Sequence, residues 1–324
     1  MKLRQGGVWA NVDTYIREGG QWKYVNFIRD ASELLLIISI TTVDLNLQTA
    51  FNNTFGITAW TSSIKKRVII NPGVNVGATS TVNYALTIPT GVGGTLKIEN
   101  YGSIQGAGGL PNSGTGGNAI LANSSVSINN QGTIYAGGGG GGIGGAGGGG
   151  VYTTTTTTTI GPLTTDLFTA SIGFTCAESC QNKFGPIYGG SWYCASASAF
   201  PSNSNCFFFA LSVVMCLTCY GNITSTSTSY TSGGDGGSGG LGQGFNQNLT
   251  GGSPGGAGGL NAGVGGFGGT GGNWGQSGGN GFSGSNGNYT GGNAGGPGGL
   301  AGFYIVNNGN VTWTNLGTVA GRVI

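Results

Sequence analysis

The feature that most constrains this chain is a glycine block with a period of three. Residues 233–302 hold 34 glycines in 70 positions, and Gly-Gly-x triplets run in phase through 233–241 and 265–273. A period of three is that of the polyproline II helix, whose backbone groups are not paired within the helix. Neighbouring helices can pair them. The block therefore predicts a lattice of short antiparallel polyglycine II helices joined by turns; a flexible glycine-rich linker is the alternative.

Composition extends this conclusion to the rest of the chain. The 324 residues include 73 glycines, and only 6% are charged. Glycine costs roughly 1 kcal/mol relative to alanine inside a helix, and the charged, periodic segments of exposed helices are missing. The fold class predicted is all-β, built of short hairpins or stacked β rungs, with a polyglycine II sandwich and almost no α-helix.

A second internal repeat supports the stacked β core. The frame I/V/W-x-N-x-G-x-I/V occurs four times, as IENYGSI at 98–104, INNQGTI at 128–134, IVNNGNV at 305–311 and WTNLGTV at 313–319. Apolar ends with Asn and Gly between them suit a short strand followed by a tight turn. Each copy is interpreted as one rung or hairpin, so residues almost two hundred positions apart would meet in one core.

A third repeat lies at the amino terminus, where GGVWANV at 6–12 is followed by GGQWKYV at 19–25. It predicts a β-hairpin with glycines in the turns and with Trp9 packed on Trp22. Such a hairpin could attach the chain to a larger assembly, so Trp9 and Trp22 are the candidate attachment residues.

These patterns divide the chain into five regions. They are an attachment repeat (1–33), a β domain with rungs (34–136), a Gly/Thr linker with a Cys-rich insert (137–232), the polyglycine II domain (233–302) and rungs that return to the core (303–324). Within the β domain, LLLIISI at 34–40 is too short for a membrane helix and predicts a buried strand. The run Lys65, Lys66 and Arg67 is interpreted as a solvated strand end.

All six cysteines fall within 44 residues of the insert. This density predicts three disulfides in a small stapled module, with fifteen possible pairings. A four-thiolate zinc site or free buried thiols are the alternatives. The predicted disulfide cysteines are Cys176, Cys180, Cys194, Cys206, Cys216 and Cys219.

Enzyme chemistry has little support in this composition. The chain contains no histidine, which removes the commonest general base and metal ligand. Its nine acidic residues are scattered, and the glycine block lacks the lysine of a phosphate-binding loop. No clustered Lys/Arg surface indicates nucleic acid, and no signal series indicates export. No catalytic residue, metal or cofactor is expected.

The GGVW/GGQW repeat resembles attachment segments of phage tail proteins. The rungs, together with the Gly-Gly-x block, resemble the glycine-rich adhesins that cap long tail fibres of T-even-like phages and the ends of some lambda-like host-specificity proteins. The resemblance covers about three quarters of the chain and fails over the Cys-rich insert at 160–222. It implies a rigid sandwich of parallel polyglycine II helices whose end loops bind outer-membrane proteins or surface glycans.

The function expected from this resemblance is host attachment at the distal tail or fibre tip of a virion, after synthesis in the host cytoplasm. Expected partners are a host-surface receptor and other tail or fibre proteins, with no membrane insertion. A single capping copy and a homotrimer both remain open. An extracellular structural glycine-rich protein and a polysaccharide-degrading tail spike are the alternative functions.

Candidate receptor contacts lie where the triplet phase breaks, near 245–254, 261–264, 273–277 and 286–294. Aromatic rings with nearby amides suit the recognition of sugars and protein loops. The alternative is that some of these rings close the ends of the lattice. The candidate residues are Phe245, Asn246, Asn248, Trp274, Asn288 and Tyr289.

Overall fold

The computed structural model describes the backbone of residues 2–5, 8–11, 15–18, 21–24, 33–165, 186, 191–198 and 216–324. Side chains are described for 33–161, 186 and 219–324. Two compact units are present: the body, Met1–Gly149 with Ser232–Ile324, and the insert, Gly150–Thr231.

The described residues form 22 strands, one α-helix and one 3-10 helix. The helices are α1 (Leu47–Phe55) and the 3-10 turn Asn308–Asn310. The strands are β1 (Lys2–Gln5), β2 (Val8–Asn11), β3 (Tyr15–Glu18), β4 (Gln21–Tyr24), β5 (Glu33–Ile38), β6 (Thr42–Val43), β7 (Leu45–Asn46), β8 (Lys65–Ile70), β9 (Asn75–Gly77), β10 (Leu86–Ile88), β11 (Leu96–Asn100), β12 (Ser103–Gln105), β13 (Ile120–Ala122), β14 (Val126–Asn130), β15 (Thr133–Tyr135), β16 (Gly150–Thr165), β17 (Ser191–Ser198), β18 (Cys216–Thr231), β19 (Phe303–Val306), β20 (Val311–Asn315), β21 (Thr318–Ala320) and β22 (Arg322–Val323).

The amino-terminal repeat forms two hairpins. Strand β1 pairs antiparallel with β2, and β3 pairs antiparallel with β4. The two tryptophans occupy equivalent positions, since Trp9 lies opposite Arg4 and Trp22 opposite Arg17. Each copy of the repeat thus makes its own hairpin, because each Gly-Gly pair separates two short strands. The predicted packing of Trp9 on Trp22 lies outside the described side chains.

The β core of the body is a prism of three parallel sheets, each with five strands. Successive rungs each contribute one strand to every sheet: β5 to β7, β8 to β10, β11 to β13, β14 with β15 and β19, and β20 to β22. Inward-facing aliphatic residues stack from rung to rung, as Val68, Ile98 and Ile128 do in one sheet, all fully buried. The prediction of an all-β fold with almost no helix is confirmed.

Three of the four I-x-N-x-G-x-I copies turn the same corner of the prism. Asn100 and Asn130 are fully buried there, and Asn100 Nδ2 donates to Asn130 Oδ1 over 2.7 Å. Asn315 holds the last turn by accepting from Gly317 N at 3.1 Å. These three copies lead from the sheet of β11, β14 and β20 into the sheet of β12, β15 and β21. The copy at 305–311 turns a different corner, because it leads from β19 in the third sheet into β20. Strand β14 does pair with β20, which joins residues nearly two hundred positions apart.

Two details of the first rungs differ from the sequence interpretation. Strand β5 is buried on one face only: because successive side chains point to opposite faces, Leu36 and Ile38 are buried whereas Leu35 and Ile37 are exposed. Lys66 is only 1% exposed, because alternation in β8 turns it inward. Its ammonium donates to the carbonyls of Ser62, Ile64 and Gly93 at 2.7, 2.9 and 2.7 Å. Burial lowers the pKa of Lys66.

Lys66 therefore joins the loop that holds Ser62 and Ile64 to the loop that holds Gly93 through three charge-assisted hydrogen bonds. Removing its ammonium group should lower the stability of the protein measurably. We expect Lys66→Met to lower the free energy of unfolding by about 2 to 3 kcal/mol, because three partly buried carbonyls lose a charged donor. The matched control is Lys65→Met, at an exposed neighbour in the same strand, which should change it by less than about 0.5 kcal/mol. Equal effects in urea unfolding would contradict the fastening role.

The glycine block forms extended segments whose hydrogen bonds repeat every third residue. Between 137–149 and 232–244, the amides of Gly138, Gly141, Gly144 and Gly147 donate to the carbonyls of Gln243, Gly240, Gly237 and Gly234. Between 137–149 and 276–287, the pairs advance in the same direction, from Gly139 with Gln276 to Gly148 with Ser285. Neighbours therefore run both antiparallel and parallel. Polyglycine II stays our interpretation of this block, and it accounts for the period of three.

The segment 137–149, taken from sequence as part of a linker, lies at the centre of the block. Among the described residues it is hydrogen-bonded to six others: 106–110, 113–117, 232–244, 262–273, 276–287 and 290–302. A Cβ at most of its positions would run into a neighbouring carbonyl. A near-pure glycine run is thus what the central position requires.

The insert contains a long antiparallel ribbon, in which β16 pairs with β18 from Gly150 opposite Thr231 to Thr165 opposite Leu217. The two hydroxyl-rich tracts pair with each other, and both are rich in threonine, a β-branched residue that favours strands. Strand β17 pairs with β18 and places Cys194 opposite Cys219 in the register. Cys219 is buried and disulfide-bonded. The set of three disulfides remains a prediction, since most of the six cysteines lie outside the described side chains.

Candidate functional site

The turns of the glycine block fall into two groups at opposite ends of the central segment. Residues 245–249 and 273–276 lie beside its start, at the prism, as Phe245 N donates to Gly106 O and Gly275 N to Ala136 O. Residues 259–262 and 287–290 lie beside its far end, at Gly149. The four turns predicted from breaks in the triplet phase therefore form two pairs, one at each end of the central segment.

At the prism end, three of the candidate residues have contacts within the body. The Phe245 ring lies against Gly77, where an added Cβ would overlap it. Asn246 Oδ1 accepts from Gly108 N at 2.9 Å. The Trp274 ring packs on Tyr135 with centroids 5.7 Å apart. These contacts join the block to the prism, whereas the nearby Asn248 is exposed.

At the far end, two turns meet around the last residue of the central segment. Asn288 N donates to Asn261 O at 3.0 Å, and Tyr289 N donates to Gly149 O at 3.1 Å. Asn261 has a positive φ of 60°, which Asn tolerates better than most residues. Tyr289 is 59% exposed, and Leu260 in the facing turn is 60% exposed. The far end therefore presents large side chains on two hydrogen-bonded turns.

Sequence reasoning missed Leu260, and it also missed Phe267 and Phe282 on the sides of the block. All three are more than half exposed. Phe282 N donates to Phe267 O, so the two phenylalanines lie on adjacent segments. The sequence did contain a signal for their exposure. Where every third residue among glycines is large, that side of the segment has no close neighbour.

The site is electrically almost neutral. Asp235 is the only charged residue in 232–302. Charged side chains do pair in the prism, where Lys97 Nζ lies 2.7 Å from Glu99 Oε1 and lowers the pKa of that carboxyl. Within the described residues, acidic and cysteine side chains form no group of three that could hold a metal ion. No described helix is long and apolar enough to cross a membrane.

Comparison with known proteins gives the class of the chain. Residues 34–192, just under half of it, match the family model described as phage tail fibre adhesin Gp38. This match confirms the resemblance seen in the sequence: the chain is a phage tail fibre adhesin and belongs to the tail fibre of a virion. Over those residues the chain is similar to Gp38.

One solved structure is similar at low identity. It is titled the crystal structure of the gp37-gp38 adhesin tip complex of the bacteriophage S16 long tail fiber. The likeness covers 90% of this chain and 82% of that chain, at 18% sequence identity and a TM-score of 0.37. No curated protein matches the sequence.

Proposed function

We propose that this tail fibre adhesin binds a host-cell surface receptor through the far-end turns of its glycine block, without catalysis. The observation that carries the proposal is the pairing of two turns, 259–262 and 287–290, by the bond from Asn288 N to Asn261 O. Paired turns on a rigid base offer a fixed contact surface at low entropy cost. We place the first receptor contacts at Asn288 and Tyr289, with Leu260 beside them.

The chemistry of the far end suits an outer-membrane protein or a surface glycan. A tyrosine ring supplies contact area, and asparagine amides supply adaptable hydrogen bonds. The absence of charge from both turns favours a partner surface that is itself neutral. Phe245, Asn246, Asn248 and Trp274 are secondary candidates, since three of them have contacts within the body.

We further propose that the first rung of the prism, with the amino-terminal hairpins, attaches the chain to another tail fibre protein. Strands β5, β6 and β7 are the edge strands of their three sheets. Apolar side chains are exposed on these strands, where Ile37 is 51% and Val43 46% exposed, and between β5 and β6, where Ile40 is 74% exposed. Exposed apolar sheet edges are protected in free proteins and normally mark pairing surfaces.

The receptor proposal is tested by adsorption of the purified chain to host cells. We expect Asn288→Ala/Tyr289→Ala to weaken adsorption by about tenfold or more, as the loss of a contact hot spot does. The melting temperature should stay within about 2 °C, because the Tyr289 ring is mostly exposed.

Trp274→Ala is the contrasting control, since it should lower the melting temperature by removing the ring that packs on Tyr135. Wild-type adsorption by the double variant, or a loss of adsorption that merely follows a loss of folding, would refute receptor contact at the far end.

A further inference from the structure

The start of the central segment is enclosed by a short hairpin of the chain itself. Gly109 N donates to Gly138 O at 2.8 Å, and Ser113 N donates to Gly141 O at 3.0 Å. In return Gly140 N donates to Gly114 O at 2.7 Å. The hairpin arms 106–110 and 113–117 thus fill two of the six positions around 137–149, up to the turn between them.

Past Gly141 these two positions stay empty within the described part of the chain. The amides of Ile143 and Ala146 and the carbonyls of Gly144 and Gly147 have no hydrogen-bond partner among the described residues. The result is an open groove, with 137–149 as its floor and with 232–238 and 290–296 as its walls.

The lining of the open groove shows the same interrupted pattern. On one wall Gly239 N donates to Asn112 Oδ1 of the hairpin turn at 2.9 Å, whereas Gly236 N and Gly233 N have no partner among described residues. On the floor, Ile143 is 46% exposed and Ala146 is partly exposed. These are the only two residues other than glycine between 137 and 149. Both stand where the hairpin no longer covers the segment.

The filled part of the same channel shows which occupant this geometry accepts. It holds an extended chain that exchanges backbone hydrogen bonds every third residue and needs glycine at close approaches. A Cβ on Gly109, for example, would lie 2.7 Å from Gly140 N. An unpaired row of backbone groups accepts an added strand at a sheet edge, and preformed polyproline II segments dock with little loss of entropy.

We propose that the open groove binds an extended, glycine-containing segment of a host surface protein, continuing the channel that residues 106–117 begin. The inference rests on the proposed receptor function and names the class of ligand. At the polyproline II rise of about 3.1 Å per residue, the eight residues past Gly141, from Gly142 to Gly149, give a groove about 25 Å long. Backbone pairing supplies affinity, and Ile143 supplies an apolar contact.

The experiment closes the groove in two independent ways in the full chain. The first variant inserts Gly-Ala-Gly after Gly109 and Gly-Thr-Gly before Gly114, which lengthens both hairpin arms by one triplet over the groove. The second is Ile143→Glu, which places a charge on its floor at an exposed position. The control is Phe267→Glu, at a similarly exposed apolar residue on an outward face.

Binding of each purified protein to host cells is then measured beside its melting temperature. We expect both groove variants to bind about tenfold less or weaker still, and the control to bind within about twofold of the wild type. Protease treatment of the cells should remove binding of the wild type, whereas periodate oxidation of surface glycans should not.

The outcomes separate the inference from the proposed function. A wild-type chain that does not bind host cells would overturn the receptor function itself. Normal binding by Ile143→Glu, or an equal loss in Phe267→Glu, would overturn the groove alone. Binding that survives protease but not periodate would assign the ligand to a glycan and reject the peptide segment. If the lengthened hairpin melts early, Ile143→Glu still decides.

Discussion

Replacing Gly268 with valine is expected to abolish soluble, folded protein. An added Cβ there would overlap the carbonyl of Ser238 and lie 2.8 Å from Gly239 N. Overpacking usually costs about 1 to 3 kcal/mol, and a rigid backbone neighbour cannot move aside as a side chain can. Against a total stability of about 5 to 15 kcal/mol, a loss above that range leaves little folded protein. Gly271→Val should behave alike, because its Cβ would meet Leu241 O.

The matched control for these substitutions is Gly251→Ala. Gly251 lies in the same block, yet nothing stands within 4 Å of its added Cβ. We expect soluble expression of this control and of Gly268→Ala to differ strongly in the full chain. Amide exchange gives a second measurement, since interhelix hydrogen bonds should slow exchange across 233–302 in the wild type. Soluble, unchanged protein from Gly268→Val and Gly271→Val, or fast amide exchange across 233–302 in the wild type, would reject the lattice and favour a flexible linker.

The second large effect is expected at Asn130, in the buried corner of the prism. Its Oδ1 accepts from Asn100 Nδ2, and its Nδ2 donates to Leu316 O at 2.7 Å and Thr318 O at 3.2 Å. Leucine has a similar size but leaves these groups without their partner. Asn100 is fully buried, whereas Leu316 and Thr318 are exposed and their carbonyls can find water. Because one buried group left unsatisfied costs about 1 to 3 kcal/mol, Asn130→Leu should lower the free energy of unfolding by about 2 to 3 kcal/mol.

Asn129→Leu is the control for this prediction. It makes the same change one residue earlier in the same strand, where the side chain points to the other face and is only half-buried. Its effect on denaturant unfolding should stay below about 1 kcal/mol. Equal losses in the two variants would show that the corner amides contribute no specific hydrogen-bond energy.

The local elements of this protein could be predicted from its sequence because each has a short period. Alternation of apolar and polar residues gave the strands, and the Asn and Gly of IENYGSI and INNQGTI gave the corner turns. The period of three gave the hydrogen-bonding period of the glycine block. In each case the physical cause acts within a few residues, so it can be recognised without knowing the neighbours.

The candidate site could be predicted only in part. Breaks of the triplet phase located all four turns of the block, and Asn288 and Tyr289 were among the residues named there. The grouping of turns by end was not accessible, because it depends on the direction of each segment. Trp274, Phe245 and Tyr289 are all aromatic residues at breaks of the triplet phase, so the sequence could not distinguish them. In the structure Trp274 and Phe245 pack on Tyr135 and Gly77, at the end opposite to Tyr289.

The sequence by itself determined that this chain builds stacked β rungs and close-packed glycine segments, since alternation and glycine spacing dictate both. Only the tertiary structure decided which segment lies at the centre, which corner the copy at 305–311 turns, and that Lys66 is buried. The physical reason is that rung strands and glycine segments alike take their hydrogen-bond partners from distant parts of the chain. Local sequence shows that a face must be approached closely, but the approaching neighbour is fixed only when the whole body assembles.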